Sequence, residues 1–255
     1  MAKYKSFLGA AGVAALASLA MSTAVLASDG EDRKFGYSIT LTGTSDYIFR
    51  GISQNDQLPA FQPFIEFTYG IAYVNFWGSN IAEPLAPFEM DITGGIRPVT
   101  GPVTWDIGVL YYTYPAAKAG WGDTAVVEFK VGASITPITN LSLGVTGYWT
   151  PDQGGNAGQT ETIEGNVSYT LPKFGIFDPT IGGTLGYANA DKDGVSTFGG
   201  QKDYTYWNVG LKLAVDKYFM DFRYWDTNIG KNAGNGFDTS LYDSRFVFSA
   251  GVNLP

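Results

Sequence analysis

The sequence has no cysteine and no histidine among its 255 residues. Without cysteine there is no disulfide framework, thiolate metal site, catalytic thiol or sulfur-linked lipid. Without histidine there is no imidazole base at neutral pH, no Ser-His dyad and no imidazole zinc site. Basic charge is scarce: 16 Lys and Arg stand against 24 Asp and Glu, a formal net charge of −8. That balance excludes the cationic footprint that nucleic acid requires. Charged residues of both signs are only 16% of the chain, against about a quarter in ordinary soluble domains. In their place stand 33 glycines and an aromatic fraction of 15%, where ordinary glycine usage is about 7%. Little charge with many glycines and rings points to extended β-structure.

Residues 1–27 read as an address. Lys3 and Lys5 precede an apolar stretch from Phe7 to Ala27, and Val25 and Ala27 form a small-residue cleavage site before Ser28. This is the pattern of a secretory signal peptide. The stretch is long enough to span a bilayer as a helix. Its Ala/Gly-dominated composition and its ending in Ser22, Thr23 and small residues favour cleavage instead. Residues 28–255 are then the mature, exported chain. They hold no further long apolar run.

The mature chain alternates with period two, the mark of strands whose two faces meet different surroundings. Phe35, Tyr37, Ile39 and Leu41 interleave with Gly36, Ser38, Thr40 and Thr42. Phe88, Met90, Ile92 and Ile96 interleave with Glu89, Asp91, Thr93 and Arg97. The pattern predicts twelve strands, near residues 35–50, 59–69, 71–79, 86–97, 103–114, 123–135, 139–149, 160–170, 180–190, 203–215, 218–226 and 241–254. Connections alternate between long, Gly/Asn/Asp-rich stretches such as 151–159 and short turns such as Asp216-Lys217. A transmembrane barrel has this layout, with an even strand count, short periplasmic turns and longer outer loops. The expected fold is therefore an all-β, antiparallel up-and-down barrel of about 12 strands, within roughly 10 to 14. A soluble β-sandwich alternates as well, but its polar faces would carry many Lys and Glu. Here they carry Thr, Ser, Gly and Asn. Rings also gather at strand ends, at Tyr47, Phe49, Tyr69, Trp77, Phe88, Tyr111, Tyr112, Tyr114, Trp149, Tyr169, Tyr187, Trp207, Tyr218, Tyr224 and Trp225. Interfacial girdles place amphipathic rings at those depths.

The face opposite the apolar residues is the expected lumen. Its acids are Asp46, Glu66, Glu89, Asp91, Asp106, Glu128, Glu164 and Asp221; its bases are Arg50, Arg97, Lys130, Lys212, Arg223 and Arg245. Lipid-facing Arg or Lys costs about 2–4 kcal/mol at the midplane, which places such groups inward. Charged rings of this kind set ion selectivity, or fill the lumen as a satisfied ion-pair network. Acids outnumber bases in and beside the long loops, from Asp56 and Glu83 to Asp238 and Asp243. An acidic outer mouth that mildly favours cations is expected. The stretch Asp191-Lys192-Asp193-Gly194 lacks the third Asp and terminal Glu of a calcium loop. No cofactor or metal site is expected.

Three phrases carry a family resemblance: Ser45-Asp46-Tyr47-Ile48-Phe49-Arg50-Gly51-Ile52-Ser53-Gln54, Ile107-Gly108-Val109-Leu110-Tyr111-Tyr112-Thr113-Tyr114-Pro115 and Asp243-Ser244-Arg245-Phe246-Val247-Phe248-Ser249. In order and spacing the mature chain resembles the TorF-family porins of Gram-negative bacteria, once grouped as conserved hypothetical proteins. The resemblance implies an outer-membrane β-barrel with a pore role. Such barrels commonly finish on an aromatic that assembly machinery reads, whereas this sequence ends Asn253-Leu254-Pro255. That departure bears on the assembly signal or on the register of the last strand.

The first phrase is expected to close strand one with Asp46, Ile48 and Arg50 inward. Arg50 would either guard an outer constriction or pair with Asp46 and, with Gly51, fix the loop's exit. The leading functional expectation is a passive outer-membrane channel for small polar solutes or ions. Its surroundings would be outer-membrane lipid and lipopolysaccharide, and barrel-assembly machinery would insert it. An enzyme barrel is disfavoured because the usual nucleophile or water activation relies on histidine. The alternative is a structural or adhesive barrel with a filled lumen, although its loops carry few rings besides Trp121, Phe198 and Phe237.

Overall fold

Alternation of small polar with apolar side chains gives each extended segment two faces, and only closure satisfies every backbone group of such a sheet in lipid. The computed structural model describes residues 34–82, 86–117, 125–153, 158–191, 202–230 and 239–254. The expected signal peptide lies outside the described residues, as do Glu83, most of the stretch beginning at Asp191, Trp121, Phe198, Phe237 and Asp238. Twelve long strands form the wall: β1 (Phe35–Thr44), β2 (Ala60–Tyr69), β3 (Ala72–Asn80), β4 (Phe88–Ile96), β5 (Val103–Thr113) and β6 (Val126–Ile138). They continue with β7 (Leu141–Thr150), β8 (Thr160–Thr170), β9 (Asp178–Ala190), β10 (Asp203–Val215), β11 (Tyr218–Thr227) and β12 (Arg245–Leu254). Each pairs antiparallel with its chain neighbours, and β1 pairs with β12 to close the ring. The closing register is regular from Ile39 opposite Leu254 to Thr44 opposite Ser249, so the final strand is paired up to Leu254.

Two-residue turns such as Gly70-Ile71, Thr139-Asn140 and Asp216-Lys217 sit at one end, where Asn140 and Asp216 take positive φ. The long connections sit at the other. Three expected boundaries are corrected. The first strand ends at Thr44 instead of residue 50, because the chain turns into the barrel there. The sixth runs Val126–Ile138, with a register shift between Leu141 and Leu143 opposite it. The twelfth starts at Arg245, because Thr239–Tyr242 form a 3-10 turn.

The outer surface is apolar. Val131, Ile163, Leu185 and Val209 are each more than half exposed along the middle of their strands. Tyr69, Tyr169 and Tyr218 stand outward toward the short-turn end, and Tyr111, Trp149 and Tyr187 toward the long-loop end. These two rows are girdles of the kind that interfaces hold. The girdle expectation fails for Tyr47, Phe49, Trp77, Tyr112 and Tyr114, which are buried inside the barrel. Grouping rings by strand end ignores parity: Tyr111 and Tyr112 are adjacent, so one faces lipid and the other the lumen. Leu185→Arg, in the middle of β9, is expected to cost about 2–4 kcal/mol in reversible urea unfolding from lipid vesicles.

Candidate functional site

After Ser45 the chain leaves the end of β1 and residues 46–55 fold inward and are largely buried, while 56–59 return to the exposed surface. Ile48 and Phe49 pair with Ile52 and Ser53 as a small hairpin. Its two-residue loop is Arg50-Gly51, with φ of 45° and 84°. Positive φ at both loop residues is the type I′ requirement, and Gly is the favoured second residue. At Gly51 a side chain has no room: a Cβ there would lie 2.5 Å from Thr227 Cγ2 and 2.9 Å from Tyr206 Cβ. Ile52 packs in one buried cluster with Ala188, Tyr204, Tyr206, Leu241 and Tyr242, and Tyr47 and Phe49 in another with Ala60 and Trp77. Apolar burial therefore seats the hairpin across the outer end of the barrel.

Arg50 fixes the tip. Its guanidinium donates two hydrogen bonds to Glu128 of β6, at 3.0 and 2.9 Å, and lies 4.6 Å from the ring centroids of both Phe49 and Tyr148. Glu128 also accepts from the Tyr112 hydroxyl at 2.7 Å and the Thr150 hydroxyl at 2.9 Å. The Tyr204 hydroxyl donates to the Arg50 carbonyl at 2.9 Å. Both charged side chains are almost wholly buried, 7% and 3% exposed. A buried pair holds only with such full hydrogen bonding. At the base of the segment Asp46 accepts from Arg245 at 2.8 Å and from the Ser53 hydroxyl at 2.7 Å. The expected Asp46–Arg50 pair is thus corrected, because the turn at Ser45 and the hairpin carry Arg50 to the opposite wall.

Beneath the hairpin the carboxylates are held by phenols. Glu89 accepts from Tyr47 at 3.0 Å and Tyr114 at 3.2 Å, and Glu164 from Tyr206 and Tyr148. Further toward the short-turn end, Arg97 donates to both oxygens of Glu66 at 2.8 and 2.7 Å. Asp106 accepts from Lys130 at 2.9 Å and from Tyr73 at 2.7 Å. The Tyr73 ring lies 3.9 Å under the Arg97 guanidinium carbon. Arg223 pairs with Asp221 at 3.0 Å and also donates to Asn208, while the Lys212 ammonium sits 4.4 Å from the Phe219 ring centroid.

A cavity of about 770 Å³ runs inside the ring from Asp178, Ala214 and Asn253 at the short-turn end up to Arg50, Tyr112 and Glu128 beneath the hairpin. Arg50, Glu66, Asp91, Arg97, Asp106, Glu128, Lys130, Glu164, Lys212, Asp221 and Arg223 line it. Glu89 lies buried behind the hairpin, and Asp46 and Arg245 lie at the hairpin's base. A search for charged residues alone misses the inward tyrosines at 73, 112, 148, 204 and 206. Parity finds them: counting in twos from Asp106 leads to Tyr112, and from Thr146 to Tyr148.

An apolar belt, two aromatic girdles and a charged lumen in a closed antiparallel ring of twelve strands define the transmembrane β-barrel class, with the fold of the outer-membrane porins. The chain belongs to Gcw_chp, a family of bacterial proteins of unknown function, whose profile matches residues 28–252. Among solved structures the fold is similar to the NanC porin, with a TM-score of 0.56, 11% identity and coverage of 85% of this chain and 99% of that one. It is similar to the KdgM porin, solved in complex with disordered oligogalacturonate, with a TM-score of 0.55, 11% identity and coverage of 86% and 98%. No curated protein matches the sequence.

Removing one partner of the buried pair strands the other. Arg50→Ala is expected to cost about 3–5 kcal/mol in detergent-micelle unfolding. The double variant Arg50→Ala/Glu128→Gln is expected to recover part of that loss, because the amide oxygen introduced at position 128 still accepts from the neighbouring hydroxyls without burying a charge.

Proposed function

We propose that the protein is an exported outer-membrane channel for passive passage of small polar solutes and ions. Residues 1–27 are its cleaved signal peptide and residues 28–255 its barrel. The observation that carries this reading is the lumen cavity of about 770 Å³, walled by Thr, Ser, Asn and charged side chains. A barrel built only as a scaffold has no use for a cavity of this size inside its ring, and small barrels ordinarily fill their interior with side chains. Porin-like neighbours support the same reading at the level of fold.

Selectivity follows from the charge inventory. Arg50, Arg97, Lys130, Arg223 and Arg245 each meet a carboxylate, so the bases are largely neutralised. On the cavity wall Asp91 and Glu164 carry no such counter-charge among the described residues. Against them stands Lys212, which rests over Phe219 without an ion pair there, so the lumen holds a slight excess of acid. Acid-lined passages concentrate cations. This argues for cationic or neutral solutes here, in contrast to the polyanionic oligogalacturonate present in the KdgM complex. The acidic outer loops would act in the same direction. Lipid surrounds the apolar belt, lipopolysaccharide the outer end, and barrel-assembly machinery inserts the chain. The reading is not enzymatic, since the usual nucleophile or water activation relies on histidine, which the sequence lacks.

Seating of the hairpin favours a second reading, a barrel closed at rest or closed for good. Planar-bilayer recording on refolded protein separates them. The expected result is a small conductance with reversal potentials on the cation side across a salt gradient. Arg50→Ala/Glu128→Gln is expected to raise the open probability several-fold. Anion preference would contradict the charge argument, and no conductance from either protein would leave the closed scaffold.

A further inference from the structure

Glu89, Asp91 and Glu128 share the wall beneath the hairpin, but their circumstances differ. Glu89 is held by two phenols, and Glu128 by Arg50, Tyr112 and Thr150. Asp91 is 2% exposed, and neither of its carboxylate oxygens has a hydrogen-bond partner among the described residues. A carboxylate removed from water and given no partner is strongly unfavourable. Such a group is relieved either by a proton or by a counter-charge, and an adjoining cavity is the route by which a counter-charge reaches it. Asp91 lies on the wall of the lumen cavity.

Its neighbours define which counter-charge. Cross-strand register sets Trp77 of β3 opposite Asp91 on one side and Tyr112 of β5 opposite it on the other. Phe64 of β2 stands one strand beyond Trp77, and all four side chains line the cavity. The Tyr47 ring packs 5.2 Å from that of Trp77 and roofs this row from the hairpin side. A carboxylate between aromatic rings is the arrangement that recognises an organic cation. The charge pairs with the carboxylate, while N-methyl or methylene groups meet π faces that attract the cation as well. Inorganic monovalent ions gain less there, being small and strongly hydrated. A metal cage does not fit, since no group of three acidic side chains close enough to hold a metal ion exists among the described residues.

We propose that Asp91, Trp77 and Tyr112 form a binding site for a small organic cation with an alkylammonium head, reached through the lumen cavity. The site deepens the channel reading by naming its solute class and rests on that reading for its use. Binding itself needs no conduction.

The test titrates refolded protein in detergent with methylammonium, tetramethylammonium and K+ at constant ionic strength, following tryptophan fluorescence and thermal midpoint. The expected result is saturable binding of the alkylammonium ions, about ten-fold or more tighter than K+. Asp91→Asn is expected to weaken that binding by about ten-fold or more. Trp77→Phe is expected to lose most of the fluorescence response while keeping the thermal shift. Folding of each variant is checked by heat-modifiable mobility on gels. Equal binding of K+, no saturable response up to about 100 mM, or a folded Asp91→Asn that binds as wild type would overturn the site. Binding without bilayer conductance would overturn the channel reading and leave the site; conductance without binding would do the reverse.

Discussion

A guanidinium cannot sit dry inside a barrel without a carboxylate shaped to receive it, and the Arg50–Glu128 pair meets that constraint. The pair spans the lumen from the first connection to β6, almost opposite β1 in the ring. What surrounds it serves it: Tyr112 and Thr150 complete Glu128, Tyr204 holds the Arg50 carbonyl, and Phe49 and Tyr148 stack on the guanidinium. Gly51 lets the tip come within contact of β10 and β11. A buried pair is a poor source of net stability, because desolvation offsets much of the attraction. Its plainer consequence is registry: one side chain, one acceptor and one seated position for the hairpin.

That seat turns a uniform tube into a vessel with unlike ends. Above lies an aromatic and charged plug, below it a polar cavity that reaches the short-turn end. Buried phenols do most of the satisfying. Six of the inward tyrosines, at 47, 73, 112, 114, 148 and 206, donate to lumen carboxylates. Donation by neutral hydroxyls satisfies carboxylate oxygens without adding positive charge to the lumen. The proposed channel therefore rests on a lumen with a slight acid excess beneath a hairpin seated by the Arg50–Glu128 pair, the Asp46–Arg245 pair and two apolar clusters.

Much of the wall is legible from sequence because a strand with lipid on one side has no freedom in its alternation. Val127-Glu128-Phe129-Lys130-Val131 admits one assignment of faces, and β6 obeys it. The even strand count and the long–short rhythm of connections are legible for the same reason. Residues 45–58 are not. Period-two reasoning extends a strand until a turn signal stops it, and Tyr47-Ile48-Phe49-Arg50 reads as more strand. Only the far wall, with Glu128, Tyr204 and Thr227 distant in sequence, makes the inward turn favourable. The partners of Arg50 and Asp46 are hidden likewise, since Glu128 and Arg245 lie far along the chain. Aromatic girdles are overcounted because ring clusters at strand ends mix two parities, as Tyr111 and Tyr112 do.

The central claim is that the inturned hairpin closes the outer end and leaves the cavity reachable from the short-turn end. Absence of cysteine from the chain makes a single reporter clean. Thr146→Cys places one thiol on the cavity wall. A bulky, membrane-impermeant maleimide, applied separately to the two faces of the outer membrane, reads its accessibility directly. The account predicts labelling at least about ten-fold faster from the periplasmic face, with the difference lost in Arg50→Ala/Glu128→Gln. Equal labelling from both faces in the protein with its hairpin intact would contradict it.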